Sequence, residues 1–186
     1  MQKTLFVLFV LIGAAFAQQP PIPPGLAAAA GPDSLNVHLQ ALKPYLNQTW
    51  KGTFVGEAGA PPMHDVMRWE RILNGQAIRI LHSVNDGIYG GETILYWDKA
   101  RNSLAYSYFT TAGFSTHGTM TGEAGKWVSH ETVENNANGI TEVRSTSALR
   151  PDGSLHNAAE FLQNGTWVPG HTIDYVADPE ARILFR

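Results

Sequence analysis

The stretch Asp65-Val-Met-Arg-Trp-Glu-Arg-Ile-Leu-Asn-Gly-Gln-Ala-Ile-Arg-Ile-Leu-His-Ser-Val84 carries two alternating runs on either side of an Asn-Gly pair. Before the pair, Met67, Trp69, Arg71 and Leu73 share one face, opposite Val66, Arg68, Glu70 and Ile72. After it, Ile78, Ile80, His82 and Val84 form a second consistent face. A period of two belongs to a strand, whose successive side chains point to opposite sides. Asn-Gly is the favoured two-residue type I′ turn, because both of its positions need φ above zero. The stretch reads as a β-hairpin.

The same grammar runs outward in both directions. Strands are expected over residues 50–56, 65–73, 76–84, 92–97, 104–110, 114–121, 126–134, 140–149 and 155–162, with a last piece near 165–168. Asp86-Gly87, Asn138-Gly139, Asp152-Gly153 and Asn164-Gly165 repeat the turn chemistry, and residues 98–102 make a longer charged turn. About ten consecutive strands with tight turns predict an all-β, single antiparallel up-and-down barrel, since closure removes the sticky edges of a long meander. Trp50, Trp69, Trp97, Trp127 and Trp167 fall on separate strands and suit an aromatic-rich interior.

Ahead of the strands, Ser34 can cap one short N-terminal helix with Leu35, Leu39 and Leu42 on one face, stopped by Pro44. Further upstream, residues 1–17 have the pattern of a secretory signal peptide: Lys3, an apolar run, then Ala15-Phe16-Ala17. That run falls short of the roughly 20 apolar residues a membrane-spanning helix needs. Residues 18–33 are rich in proline and alanine and read as a flexible tether, leaving 34–186 as the barrel domain. The mature chain is expected to be exported, to periplasm or medium, with no membrane span once the signal is cleaved.

Composition narrows the function. The chain has 186 residues, a length for one domain, with 13 Lys+Arg against 16 Asp+Glu and a net charge of −3. That balance excludes a strongly basic nucleic-acid binder. Zero cysteine removes disulfides, thiolate metal sites and thiol nucleophiles together. The histidines at 38, 64, 82, 117, 130, 156 and 171 show neither the i, i+4 nor the i, i+2 spacing of a short metal motif, so no metal and no other cofactor is assigned. No Gly-x-Ser-x-Gly elbow is present. Asp65, Glu70 and Glu92 could act as acids or bases only if buried beside a substrate.

Two resemblances follow from particular residues. The entry Leu46-Asn-Gln-Thr-Trp-Lys-Gly52 after a short helix is similar to the start of calycin-type barrels. Residues 70–76 (ERILNGQ), 87–92 (GIYGGE), 96–98 (YWD) and 108–114 (YFTTAGF) resemble domain-of-unknown-function family 1579, a bacterial lipocalin-like group. That likeness, spanning about residue 42 to the C-terminus, implies a barrel and no established reaction. The Trp50-Lys51-Gly52 opening is also similar to the nitrobindin type of haem-binding barrel, whose late histidine would correspond to His171; here it follows Pro169-Gly170, which reads as a turn.

Polar residues within lumen-lining strands make the candidate site. If Ile78, Ile80 and Val84 face inward, so does His82; if Ile94 does, Glu92 and Tyr96 join it. Tyr106 and Tyr108 share a face with Leu104, and Thr116 shares one with Phe114 and Met120. His82, Glu92, Tyr96, Tyr106, Tyr108 and Thr116 are therefore the expected ligand-binding residues, and the expected partner is a small apolar or amphipathic molecule in the lumen. Competing readings are an enzyme using His82 and Glu92 as acid and base, a haem-binding barrel, and an interaction protein with a filled lumen that works through its outer surface. Catalytic residues and oligomeric state are not assigned by the sequence.

Overall fold

The computed structural model describes residues 31, 34–56, 59, 61–123 and 125–186. The expected signal peptide and all of the tether but Gly31 lie outside the described residues. Ten antiparallel strands form one closed barrel: β1 (Thr49–Phe54), β2 (His64–Ile72), β3 (Ala77–Val84), β4 (Tyr89–Asp98), β5 (Ser103–Thr110), β6 (Ser115–Glu123), β7 (Lys126–Thr132), β8 (Ile140–Leu149), β9 (Leu155–Gln163) and β10 (Thr166–Ala177). Each strand pairs with its neighbour in sequence, and β1 closes the ring on β10. The up-and-down barrel expected from the alternation is what forms. Among the described residues no helix is long and apolar enough to cross a membrane.

Turn chemistry sets the register. Asn164 and Gly165, both at positive φ, join the paired Gln163 and Thr166 in a true two-residue hairpin. The Asn74-Gly75 hairpin is longer: Ile72 pairs with Ala77, and Leu73, Asn74 and Gly75 all take left-handed backbone. Asn85, Asp86 and Gly87 repeat this, with Val84 paired to Tyr89. Gly75 is required twice over. Its φ is +81°, and a Cβ there would collide with the Ser34 carbonyl of the segment that leads into the helix.

That helix departs from expectation. It is a 3-10 helix, Val37–Tyr45, capped by the Asn36 side chain, which accepts from the His38 backbone N–H at 3.0 Å, rather than an α-helix capped at Ser34. Three residues per turn stack Leu39, Leu42 and Tyr45 on one face. All three are at most 1% exposed. The helix plugs one end of the barrel against Trp50, Trp69 and Trp127, and each buried leucine contributes roughly 1.5–3 kcal/mol. His38 stacks on Trp97 (centroids 3.6 Å apart, planes within 5°) and Tyr45 on Trp69 (5.0 Å).

Two further expectations are corrected. Trp167 sits on the outer wall, opposite in register to the inward Val168, where the Arg144 guanidinium lies 4.5 Å above its ring. Pro169-Gly170 is no turn: β10 runs on through a register shift between Pro169 and Thr172, and so carries His171, Ile173 and Tyr175 into the barrel wall. A proline lacking its N–H and a glycine beside it fit a bulge, where ladder bonds are already interrupted.

Candidate functional site

Register decides which side chains share the lumen, because residues directly paired across a ladder lie on one face. From β2 to β4, Met67 pairs with His82 and His82 with Gly91. Thr93 pairs with Tyr108, and Tyr108 with Thr116. Tyr106 pairs with Gly118, and Gly118 with Glu131. His82, Tyr106, Tyr108 and Thr116 therefore face the lumen as expected. Glu92 and Tyr96 do not. Each lies one residue off the inward phase of β4, so both stand on the outer face, where Tyr96 is 36% exposed and Glu92 acts electrostatically on the outer Arg79. His82 and Glu92 thus occupy opposite sides of the wall and cannot form an acid–base pair. Glu70 is also outside, held by Arg68 at 2.8 Å and by Arg79.

The lumen has two zones. Toward the helix plug it is dry: Trp50, Ile78, Leu95 and Leu155 are each no more than 1% exposed. Toward the other end, inward-facing Ser129, Glu131, Val143, Ser145 and Phe161 are only half-buried, so water reaches the interior there.

A hydrogen-bonded chain crosses this second zone. Asp65, 2% exposed, stands at its base. The Tyr175 hydroxyl donates to Asp65 Oδ2 at 2.7 Å, and His82 Nδ1 lies 3.0 Å from Oδ1. The other ring nitrogen, Nε2, is 2.8 Å from the Tyr108 hydroxyl, which is 2.9 Å from the Tyr89 hydroxyl. An ionised carboxylate only accepts, so Tyr175 O–H and His82 Nδ1–H both donate to Asp65. His82 Nε2 and the Tyr108 hydroxyl share one hydrogen bond, and the Tyr108 and Tyr89 hydroxyls share the next. Burial pushes the phenols of Tyr89, Tyr108 and Tyr175 upward, so all three stay protonated.

Glu131 forms a second polar centre, across Gly118 from Tyr106. Two glycines make room for the Tyr106 and Tyr108 rings on its side of the lumen. A Cβ at Gly118 would sit 2.6 Å from the Tyr106 phenol oxygen, and one at Gly91 only 3.0 Å from Tyr108 Cζ, so each ring lies flat over the neighbouring strand. Burial raises the Glu131 carboxyl above the usual range, while the Thr116 hydroxyl beside it pulls the other way. Its charge is felt at Tyr89, Tyr106 and Tyr108 alike. None of the ion pairs among the described residues includes Glu131.

His171 stands at the mouth between Phe54 (centroids 5.5 Å) and Phe161 (6.1 Å). The surrounding wall depresses its basicity even though part of its surface meets water; Asp65 opposes that shift weakly. It is the residue that would meet a haem iron. The groups that share its lumen, Asp65 and Glu131, are a poor match for a dianionic porphyrin. Among the described residues no three His, Asp or Glu side chains gather in metal-holding geometry.

Sequence reasoning missed Glu131, Tyr89 and Tyr175. Glu131 was legible: it has the same parity as Trp127 on β7, and a buried indole fixes the inward phase. Asp65, flagged only as a conditional acid or base, shares its face with Met67 and Trp69. A cleft of about 400 Å³ also opens on the outer wall, lined by Lys51, His64, Ser83, Asp86, Arg182 and Leu184. Its buried polar side chain, Ser83, already accepts from the Leu184 backbone N–H at 3.2 Å. Neither protein-family models nor curated proteins yield a match to this chain. The resemblance to family 1579 rests on the quoted residues alone.

Proposed function

We propose that this is an exported protein that binds a small, partly apolar molecule in the lumen of its barrel. One observation carries the reading: a pinned polar chain, Tyr89–Tyr108–His82–Asp65, and a separate carboxyl at Glu131 border half-open space above a dry aromatic floor. Apolar walls supply affinity, and a few fixed polar groups supply orientation. A barrel serving only as a rigid scaffold gains nothing from an unpaired carboxyl inside it, since burying a charge costs free energy unless it is compensated. Of the expected ligand-binding residues, His82, Tyr106, Tyr108 and Thr116 remain in the proposal, joined by Tyr89 and Glu131.

The test is to incubate residues 18–186 with a small-molecule extract of the protein's own host, identify what is retained, and titrate it into His82→Ala and Tyr106→Phe. Both variants should weaken binding. Unchanged affinity in both would move the search from the lumen to the outer wall.

A further inference from the structure

The open zone holds a carboxyl, Glu131, that no ion pair among the described residues includes. Tyr89, Tyr108, His82 and Tyr175 are already joined in one hydrogen-bonded chain to Asp65. Turned to the lumen are the Tyr89 and Tyr108 oxygens and the Glu131 carboxyl, beside the hydroxyls of Tyr106, Thr116 and Ser129. Two arginines that could approach are held elsewhere. Arg71, the one arginine on the inward face of β2, reaches out at the plugged end to Ser34 and Gly31. Arg144 holds Glu160 on the outside, at 2.7 and 2.9 Å. Aromatic faces complete the picture, because Tyr and His rings at 5.7 and 5.9 Å from one another wall the same space.

Resting on the lumen-binding reading, we infer that the ligand is an organic cation, an ammonium group on a short apolar body, with Glu131 as its counter-ion and the phenols of Tyr89, Tyr106 and Tyr108 as its wall. An ammonium brings N–H donors and a positive charge to a carboxyl that no ion pair among the described residues includes. A charge-assisted bond to a carboxylate is about twice as strong as a neutral one. Phenol faces add attraction for a desolvated cation. The apolar body lies toward Met120, which shares the inward phase of β6 with Gly118, and Val143, which pairs with Glu131 from β8.

Three probes of one length separate the chemistry: hexylammonium, hexanol and hexanoate, each titrated into residues 18–186 while tyrosine ring resonances are followed by NMR. Hexylammonium should bind about tenfold or more tighter than either of the others, the gap expected when a charge-assisted bond is added. Glu131→Gln should bring the amine down to the level of the alcohol and leave the alcohol unchanged. Tyr89→Phe, which removes one acceptor but keeps the ring, should weaken the amine alone. Hexanol binding as tightly as hexylammonium, or a preference that survives Glu131→Gln, overturns the cation assignment and leaves lumen binding standing. Failure of all three probes to move the Tyr106 and Tyr108 resonances overturns both.

Discussion

Tyr106 lies flat across Gly118, its phenol oxygen 2.6 Å from where a Cβ would stand, and that contact lets the ring reach toward Glu131 on the next strand. The His130 carbonyl is closer still, at 2.2 Å, so an added methyl meets backbone as well as a side chain. Gly118→Ala is therefore expected to destabilise the barrel by about 1–3 kcal/mol or more, the cost of overpacking. Gly56→Ala, where nothing lies within 4 Å, should be close to neutral. Urea unfolding of the two variants checks the contrast, and equal effects would mean that Tyr106 does not occupy this place.

Asp65 accepts from two strands at once, His82 of β3 and Tyr175 of β10, and so ties distant parts of the ring through one carboxylate. Tyr175→Phe leaves Oδ2 without its donor. A hydrogen bond to a charged group contributes about 1.5–3 kcal/mol, and the variant should lose that much by chemical denaturation. Tyr89→Phe, at the solvent-facing end of the same chain, should lose distinctly less. A loss at Tyr89 equal to that at Tyr175 would contradict the order of the chain.

Glu131 should make stability fall with rising pH. Burial raises its carboxyl pKa in the folded state above the unfolded value. The native protein therefore holds a proton that the unfolded chain has given up. The resulting stabilisation is fully present below the unfolded value, about 4.3, and is lost as pH climbs through the raised folded one. Glu131→Gln removes this dependence. It should match the parent near pH 4 and be more stable than the parent at pH 8, as read from unfolding midpoints. A variant less stable than the parent at pH 8 would show that Glu131 has a cationic partner within the fold.

The strands and turns were legible because they are local. Alternation in residues 65–84 and the Asn-Gly pairs specify strands without knowledge of their neighbours. The phase of β4 was not legible from alternation, since Tyr-Gly-Gly-Glu-Thr-Ile-Leu-Tyr-Trp carries large apolar residues on both faces. It follows only from the loop before it. Asn85, Asp86 and Gly87 in left-handed backbone pair Val84 with Tyr89, which puts Gly91 beside His82 and turns Glu92 outward. A two-residue turn centred on Asp86-Gly87 gives this same pairing, so the His82 face carried across the turn already places Glu92 outside, whereas Ile94 taken by itself does not. β10 was cut short for a different reason: Pro169-Gly170 has the composition of a turn, and only the pairing on both sides shows a bulge. The helix was placed correctly and given the wrong period, because Leu35, Leu39 and Leu42 fit a 3.6-residue repeat while Leu39, Leu42 and Tyr45 fit a 3.0-residue one.

Native mass spectrometry of residues 18–186, purified gently from the protein's own host and compared with the denatured mass, tests lumen binding most directly. The expected result is an excess mass that vanishes on denaturation and that hexylammonium competes away in the parent protein but not in Glu131→Gln. A bare mass, both as purified and after incubation with host extract, would contradict a ligand in the lumen.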